Sequence, residues 1–164
     1  MPADLPQGLI TLQANWQAAR EIRGSISSLV GFVDAVRKEI ATSNYTPYMQ
    51  PLTPTKGKGV ELWLRKAGIE YAFEIKTVQV NANNGNSLNT QLMDWIVWRL
   101  AFDAQLDFRP KIVFPYSASQ PYTVDAFWQA FGGRISPIRR NEDALVQEEF
   151  WDLVSESPIL GTGW

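Results

Sequence analysis

The sequence predicts an α/β domain with a small central mixed sheet flanked by helices. Three observations predict it. Residues 60–66 and 69–80 alternate apolar and polar side chains, as strands do. Segments before and after them repeat apolar residues at helical spacing. A short apolar run, "KIVFPY", follows the second helical region as a buried strand does. The order helix, strand, strand, helix, strand, helix, helix suits a sheet covered by helices.

Each element has a local reason. Residues 9–23 carry a weak helical pattern. Ile26, Leu29, Val30, Val33, Val36 and Ile40 keep helical spacing, so a helix is expected over about 25–41, with Gly24 before it and Ser25 as its cap. "SNYTPYMQPLTPTKGKG" holds three prolines and two glycines and reads as a loop. In 60–66, Val60, Leu62 and Leu64 are expected on one face and Glu61, Trp63 and Arg65 on the other. "KAGIE" supplies a turn, after which Tyr71, Phe73 and Ile75 face one way and Ala72, Glu74 and Lys76 the other. "NANNGN" reads as a loop. "SLNTQLMDWIVWRLAFDAQ" reads as a long helix capped by Ser87 or Asn89, with Leu92, Trp95, Ile96, Arg99 and Leu100 at helical spacing. The strand in "KIVFPY" ends at Pro115. Thr123 caps a short helix that Gly132 stops. "EDALVQEEFWDLV" reads as a final amphipathic helix. Trp95, Trp98, Trp128 and Trp151 occupy apolar helical positions and are expected in a core or interface.

The 164 residues suffice for one domain with a real core, and 45% hydrophobic with 20% charged residues is ordinary for a globular chain. No run approaches the ~18 apolar residues that span a bilayer. "MPADLPQGLI" shows neither a basic nor an apolar signal region, so a cytoplasmic location is expected. The chain has no cysteine and no histidine. Disulfides, thiolate or imidazole zinc sites, Ser-His-Asp and Cys-His catalysis and histidine-base nucleases are therefore excluded. Any chemistry rests on carboxylates, Lys, Arg, Tyr, Ser or Thr, with Mg2+ as the natural hard cofactor. The net charge of −2 gives no global sign of nucleic-acid binding. Local clusters exist: Lys56, Lys58, Arg65, Lys66 and Lys76 near one another, and Arg134, Arg139 and Arg140 further on. They suit a local nucleic-acid surface or, equally, solvated faces of mixed sign.

Glu74 and Lys76 carry the sharpest chemistry. At i and i+2 on one strand they point the same way. Glu61 lies at hairpin distance on the preceding strand, so three groups converge on one face. Two carboxylates can hold Mg2+ while leaving positions for water and phosphate oxygens, and a lysine can orient the water and stabilise transition-state charge. The competing reading is a cross-strand ion pair on a solvated sheet face. Glu39, on the upstream helix, is a candidate fourth member. Asn81, Asn83 and Asn84 suit adenine readout in a DNA groove or simply a turn. Lys56 and Lys58 suit phosphate contact on a flexible loop. Gln91 is placed to touch either the site or the DNA backbone, or equally to sit on the surface.

"GVELW…FEIKT" resembles the active-site signature of the PD-(D/E)xK nuclease superfamily, with Glu61 where Asp is usual. "EIKTVQVNANNG", "QLMDW", "VFPYSASQPY" and "EEFWDLV" extend the likeness, over about 57–154, to type II restriction endonucleases. The resemblance implies a restriction-endonuclease-like core within a single nuclease domain spanning 1–164, with N-terminal helices in 1–45. It implies Mg2+-dependent cleavage of double-stranded DNA at a short sequence, with Mn2+ able to substitute, leaving 5′-phosphate and 3′-hydroxyl. It implies Glu61 and Glu74 as metal ligands, Lys76 as the catalytic lysine and Glu39 as the helix acid. A short domain reading a palindrome is expected to be a homodimer, and a companion DNA methyltransferase to be encoded nearby. The alternatives are a nuclease of repair or branched DNA and a catalytically inert DNA-binding or assembly module on the same scaffold.

Overall fold

Strands β1 (Leu62–Lys66) and β2 (Ile69–Ile75) form the expected antiparallel hairpin, pairing Leu62 with Phe73 through Lys66 with Ile69. Ala67 and Gly68 make the two-residue turn with φ of 52° and 80°. Both positions are left-handed, which matches the twist of the strands. The computed structural model describes residues 5–22, 24–25, 27–43, 59–76, 84–115, 123–155 and 159–161.

Helix α1 (Gln7–Glu21) and helix α2 (Leu29–Thr42) precede the hairpin. The cap of α2 is Ser28, whose hydroxyl accepts from the Gly31 N–H at 3.0 Å, rather than Ser25. The long helix α3 (Asn84–Phe102) begins three residues before the expected cap at Ser87. Asn89, the other expected cap, is instead buried and accepts from Arg20. Gly85 explains the early start: a Cβ there would collide with the backbone of Ile135 and Ser136, so only glycine lets this first turn dock. Strand β3 (Phe108–Phe114) is longer than "KIVFPY" and includes Pro110. That proline removes no ladder bond, because its neighbour on that side, β4 (Ala144–Val146), pairs only from Ile112 onward.

Helix α4 (Val124–Phe131) is capped by Thr123, whose hydroxyl accepts from Ala126, and stops at Gly132, as expected. The final segment departs from a single helix. Ala144, Leu145 and Val146 are buried on both sides and pair parallel with β3. Gln147, at φ 49°, breaks the chain before helix α5 (Glu148–Val154). A short β5 (Ile159–Gly161) adds to the other edge, antiparallel to β1.

The sheet order is β4-β3-β2-β1-β5, with β2/β3 and β3/β4 parallel and the rest antiparallel. The protein is thus α/β with a mixed sheet. One core lies under the first four helices, where Phe32, Val36, Trp95, Ile96, Trp98 and Ile112 are fully buried. Tyr71, Phe73, Val113 and Phe150 of α5 form a second core on the opposite face. Of the four tryptophans expected in a core or interface, Trp95 and Trp98 are fully buried, Trp128 packs against the first core, and Trp151 is 53% exposed. No helix among the described residues is long and apolar enough to cross a membrane.

A buried ion pair ties the ends of the chain together. Arg20 Nη2 lies 2.7 Å from Asp143 Oδ2, both side chains fully buried. The Arg139 N–H donates to the same oxygen at 2.9 Å. Burial pushes the Asp143 carboxyl above its ordinary range although Arg20 pulls the other way.

Candidate functional site

The candidate site lies at the carboxyl end of β2, beside the carboxyl end of the parallel β3, where open α/β sheets commonly bind ligands. Glu74 and Lys76 share a face, as their spacing predicts. Lys76 Nζ lies 3.1 Å from Glu74 Oε1, and the two side chains are 30% and 13% exposed. The Lys76 N–H donates to the Val113 carbonyl at 2.8 Å, which holds it in line with the sheet one residue past the strand. Gln91 of α3 donates from Nε2 to Glu74 Oε2 at 3.1 Å. Both carboxylate oxygens of Glu74 therefore have one fixed partner, and each keeps a second lone pair.

Glu61 arrives by a route that alternation does not foresee. The ladder pairs Leu62 with Phe73, yet the Glu61 N–H donates to the Phe73 carbonyl at 3.1 Å. Two residues of β1's end oppose one of β2, which is a β-bulge. Its consequence is visible one residue earlier. Val60, expected beside Leu62 and Leu64, is buried instead in the core that contains Ala72 and Trp95, while Leu64 lies in the opposite one. The extra residue turns Glu61 toward the hairpin end, where Oε2 accepts the Ile75 N–H at 3.2 Å. Its side chain is otherwise exposed.

The other expected site residues are placed differently. The Glu39 carboxylate lies against Gly8 of α1, in a notch that a Cβ at Gly8 would fill. Among the described residues no three acids gather to hold a metal, so Glu39 does not join Glu61 and Glu74. Helix packing is the reason: the missing side chain at Gly8 lets α1 and α2 approach, and Glu39 fills the seam between them. Gln91 touches the site rather than offering itself to DNA; it is 7% exposed. Asn84 is the first residue of α3, not a loop residue. Lys56, Lys58, Asn81 and Asn83 lie outside the described residues.

Two groups overlooked in the sequence shape the neighbourhood. Glu70, assigned to the turn, is a buried residue of β2. Arg99 of α3 grips it with two hydrogen bonds, at 2.6 and 3.3 Å. The guanidinium also stacks over Trp63 and Phe102, at 5.0 and 5.2 Å from the ring centroids. A cavity of about 720 Å³ opens elsewhere, between α2 and the amino end of β3, lined by Val33, Arg37, Phe108 and Lys111 among others. Its cations are already engaged. Arg37 donates to the carbonyls of Ala104 and Leu106, Arg109 pairs with Asp107, and Lys111 donates to the carbonyls of Asn141 and Glu142. Glu74 and Lys76, rather than this cavity, remain the candidate site.

No protein-family model matches the chain, and no curated protein or solved structure matches it.

Proposed function

We propose that the protein is a Mg2+-dependent endonuclease of double-stranded DNA, a type II restriction enzyme with a restriction-endonuclease-like core. The observation that carries this reading is the half-open Glu74–Lys76 pair at the carboxyl end of β2, with the Glu61 carboxylate folded back to the same hairpin end. Glu61 and Glu74 fit Mg2+. The ion is content with one or two carboxylates, keeps several waters and takes phosphate oxygens for the rest. Mn2+ fits the same donors. Bound there, the cation would supply positive charge that polarises the phosphate and acidifies a water.

The chain's own residues do the rest. Glu74 is held in one orientation by its two partners. Lys76 turns its ammonium from Glu74 to a phosphate oxygen and stabilises the charge that grows there. A water oxygen bonds to phosphorus as the bond to the 3′ oxygen breaks. The water loses a proton to solvent, and the 3′ oxygen gains one. The products are a 5′-phosphate and a 3′-hydroxyl. Reading of a palindrome calls for a homodimer, and a restriction activity calls for a methyltransferase that protects the host DNA.

The test is digestion of plasmid DNA with Mg2+ or with EDTA. Discrete fragments that appear only with metal, and a fall of about 10²–10³ in rate for Lys76→Ala, are expected. Cutting confined to branched or damaged DNA would assign the protein to repair. No metal-dependent cutting, together with no Mn2+ binding that depends on Glu61 and Glu74, would falsify the proposal in favour of an inert DNA-binding scaffold.

A further inference from the structure

Helix α3 crosses the face of β2 that carries both Glu70 and Glu74. It runs antiparallel to the strand there: Arg99 meets Glu70, and Gln91 meets Glu74. The spacing is matched. Four strand residues cover about 13 Å and eight helical residues about 12 Å, so one helix stripe serves both carboxylates. The partners differ in one respect. Arg99 brings a full charge and closes Glu70, whereas Gln91 brings a neutral amide.

We infer that Gln91 is a positioning residue, which aims the Glu74 carboxylate at a divalent cation without neutralising it. The inference rests on the nuclease reading of this site. Gln91 is well placed for the task because α3 is rigid around it. Leu92 and Met93 are fully buried. On its other side α3 is pinned to α1 by Gln13 to Asp94 at 2.6 Å, Gln17 to Thr90 at 2.7 Å and Arg20 to Asn89 at 2.8 Å. When Lys76 turns to a phosphate, Gln91 is the protein donor that still holds Glu74. An amide at this place adds no positive charge to that of Lys76, whereas a second cation here would weaken the carboxylate's hold on a metal.

Calorimetric titration of the full chain with Mn2+ alone tests this. Glu74→Ala is expected to lose binding. Gln91→Met, close in volume but without the donor, is expected to bind about ten-fold more weakly. Gln91→Lys, which places a cation at Glu74 as Arg99 does at Glu70, is expected to lose binding while melting no lower than wild type without metal. A purely structural Gln91 would predict the reverse for that variant, a lower melting temperature with unchanged affinity. Should Gln91→Met fold poorly, the Mn2+ concentration for half-maximal cleavage still reads the folded molecules only, and a ten-fold rise is expected. Wild-type affinity in both Gln91 variants, with Glu74→Ala failing to bind, overturns the role of Gln91 and leaves the metal site standing. No Mn2+ binding by wild type overturns both.

Discussion

Glu70 and Glu74 stand on the same face of one strand, and each meets a cation. Glu70 is 1% exposed and is held by the two-pronged Arg99 guanidinium, which lies over two aromatic rings, with the more exposed Arg65 3.7 Å away. Glu74 meets an ammonium 3.1 Å away and the neutral Gln91 amide at 3.1 Å, and both members of its ion pair reach solvent. In the first arrangement two charge-assisted hydrogen bonds in a dry setting fix the strand to the helix. The second leaves a path for water. Burial alone does not tell a structural carboxylate from a reactive one. The openness of the surroundings does.

Removing either acid is the direct way to break this contrast. Glu70→Ala removes the carboxylate that the buried Arg99 holds and is expected to cost about 3–5 kcal/mol of folding stability in urea unfolding. Glu74→Ala is expected to change stability by no more than about 1 kcal/mol, since its pair is partly solvated, while abolishing metal-dependent cleavage. Equal losses of stability from the two substitutions would erase the distinction.

A third buried charge sharpens the picture. Lys111 is 9% exposed, and its ammonium donates to two backbone carbonyls. Burial lowers its pKa, with Asp143 pulling the other way and Arg109 adding to the lowering. The folded protein therefore releases this proton more readily than the unfolded chain. Lys111's contribution to stability is complete above the ordinary lysine value of about 10.4 and fades as pH falls through the lowered one. Urea midpoints measured between pH 8 and about 10.5 are expected to rise for wild type relative to Lys111→Met. Parallel pH profiles would show that the carbonyls stabilise the ammonium fully. The smallest effect is expected at Arg109→Ala: its pair with Asp107 is half exposed, and its loss is worth about 0–1 kcal/mol in the same assay.

Much of this was readable from spacing. The hairpin follows from strict alternation over Leu62–Lys66 and Ile69–Ile75, and α4 from Thr123 and Gly132, because these signals are local. Glu74 and Lys76 share a face for the same reason. The bulge at Glu61 was not readable, since one extra residue leaves composition unchanged and only the packing of Val60 betrays it. The strand Ala144–Val146 was hidden because three apolar residues fit a helical stripe as well as a buried strand. The notch at Gly8 that takes Glu39 depends on how two helices dock, which no single helix pattern encodes. The matched spacing of Gln91 and Arg99 against Glu74 and Glu70 was present in the sequence, but it becomes meaningful only once α3 is known to run antiparallel over β2.

The Arg20–Asp143 pair carries a consequence for synthesis. Its partners are 123 residues apart, so the arginine emerges from the ribosome long before the carboxylate that neutralises it. Until Asp143 is made, seating α1 in its native place would bury a charge with no counter-ion, a cost of several kcal/mol. Final docking of helix α1 is thus expected only once the segment that carries Asp143 exists. A chain truncated before Asp143 is expected to hold α1 only loosely, with its amides exchanging rapidly with solvent.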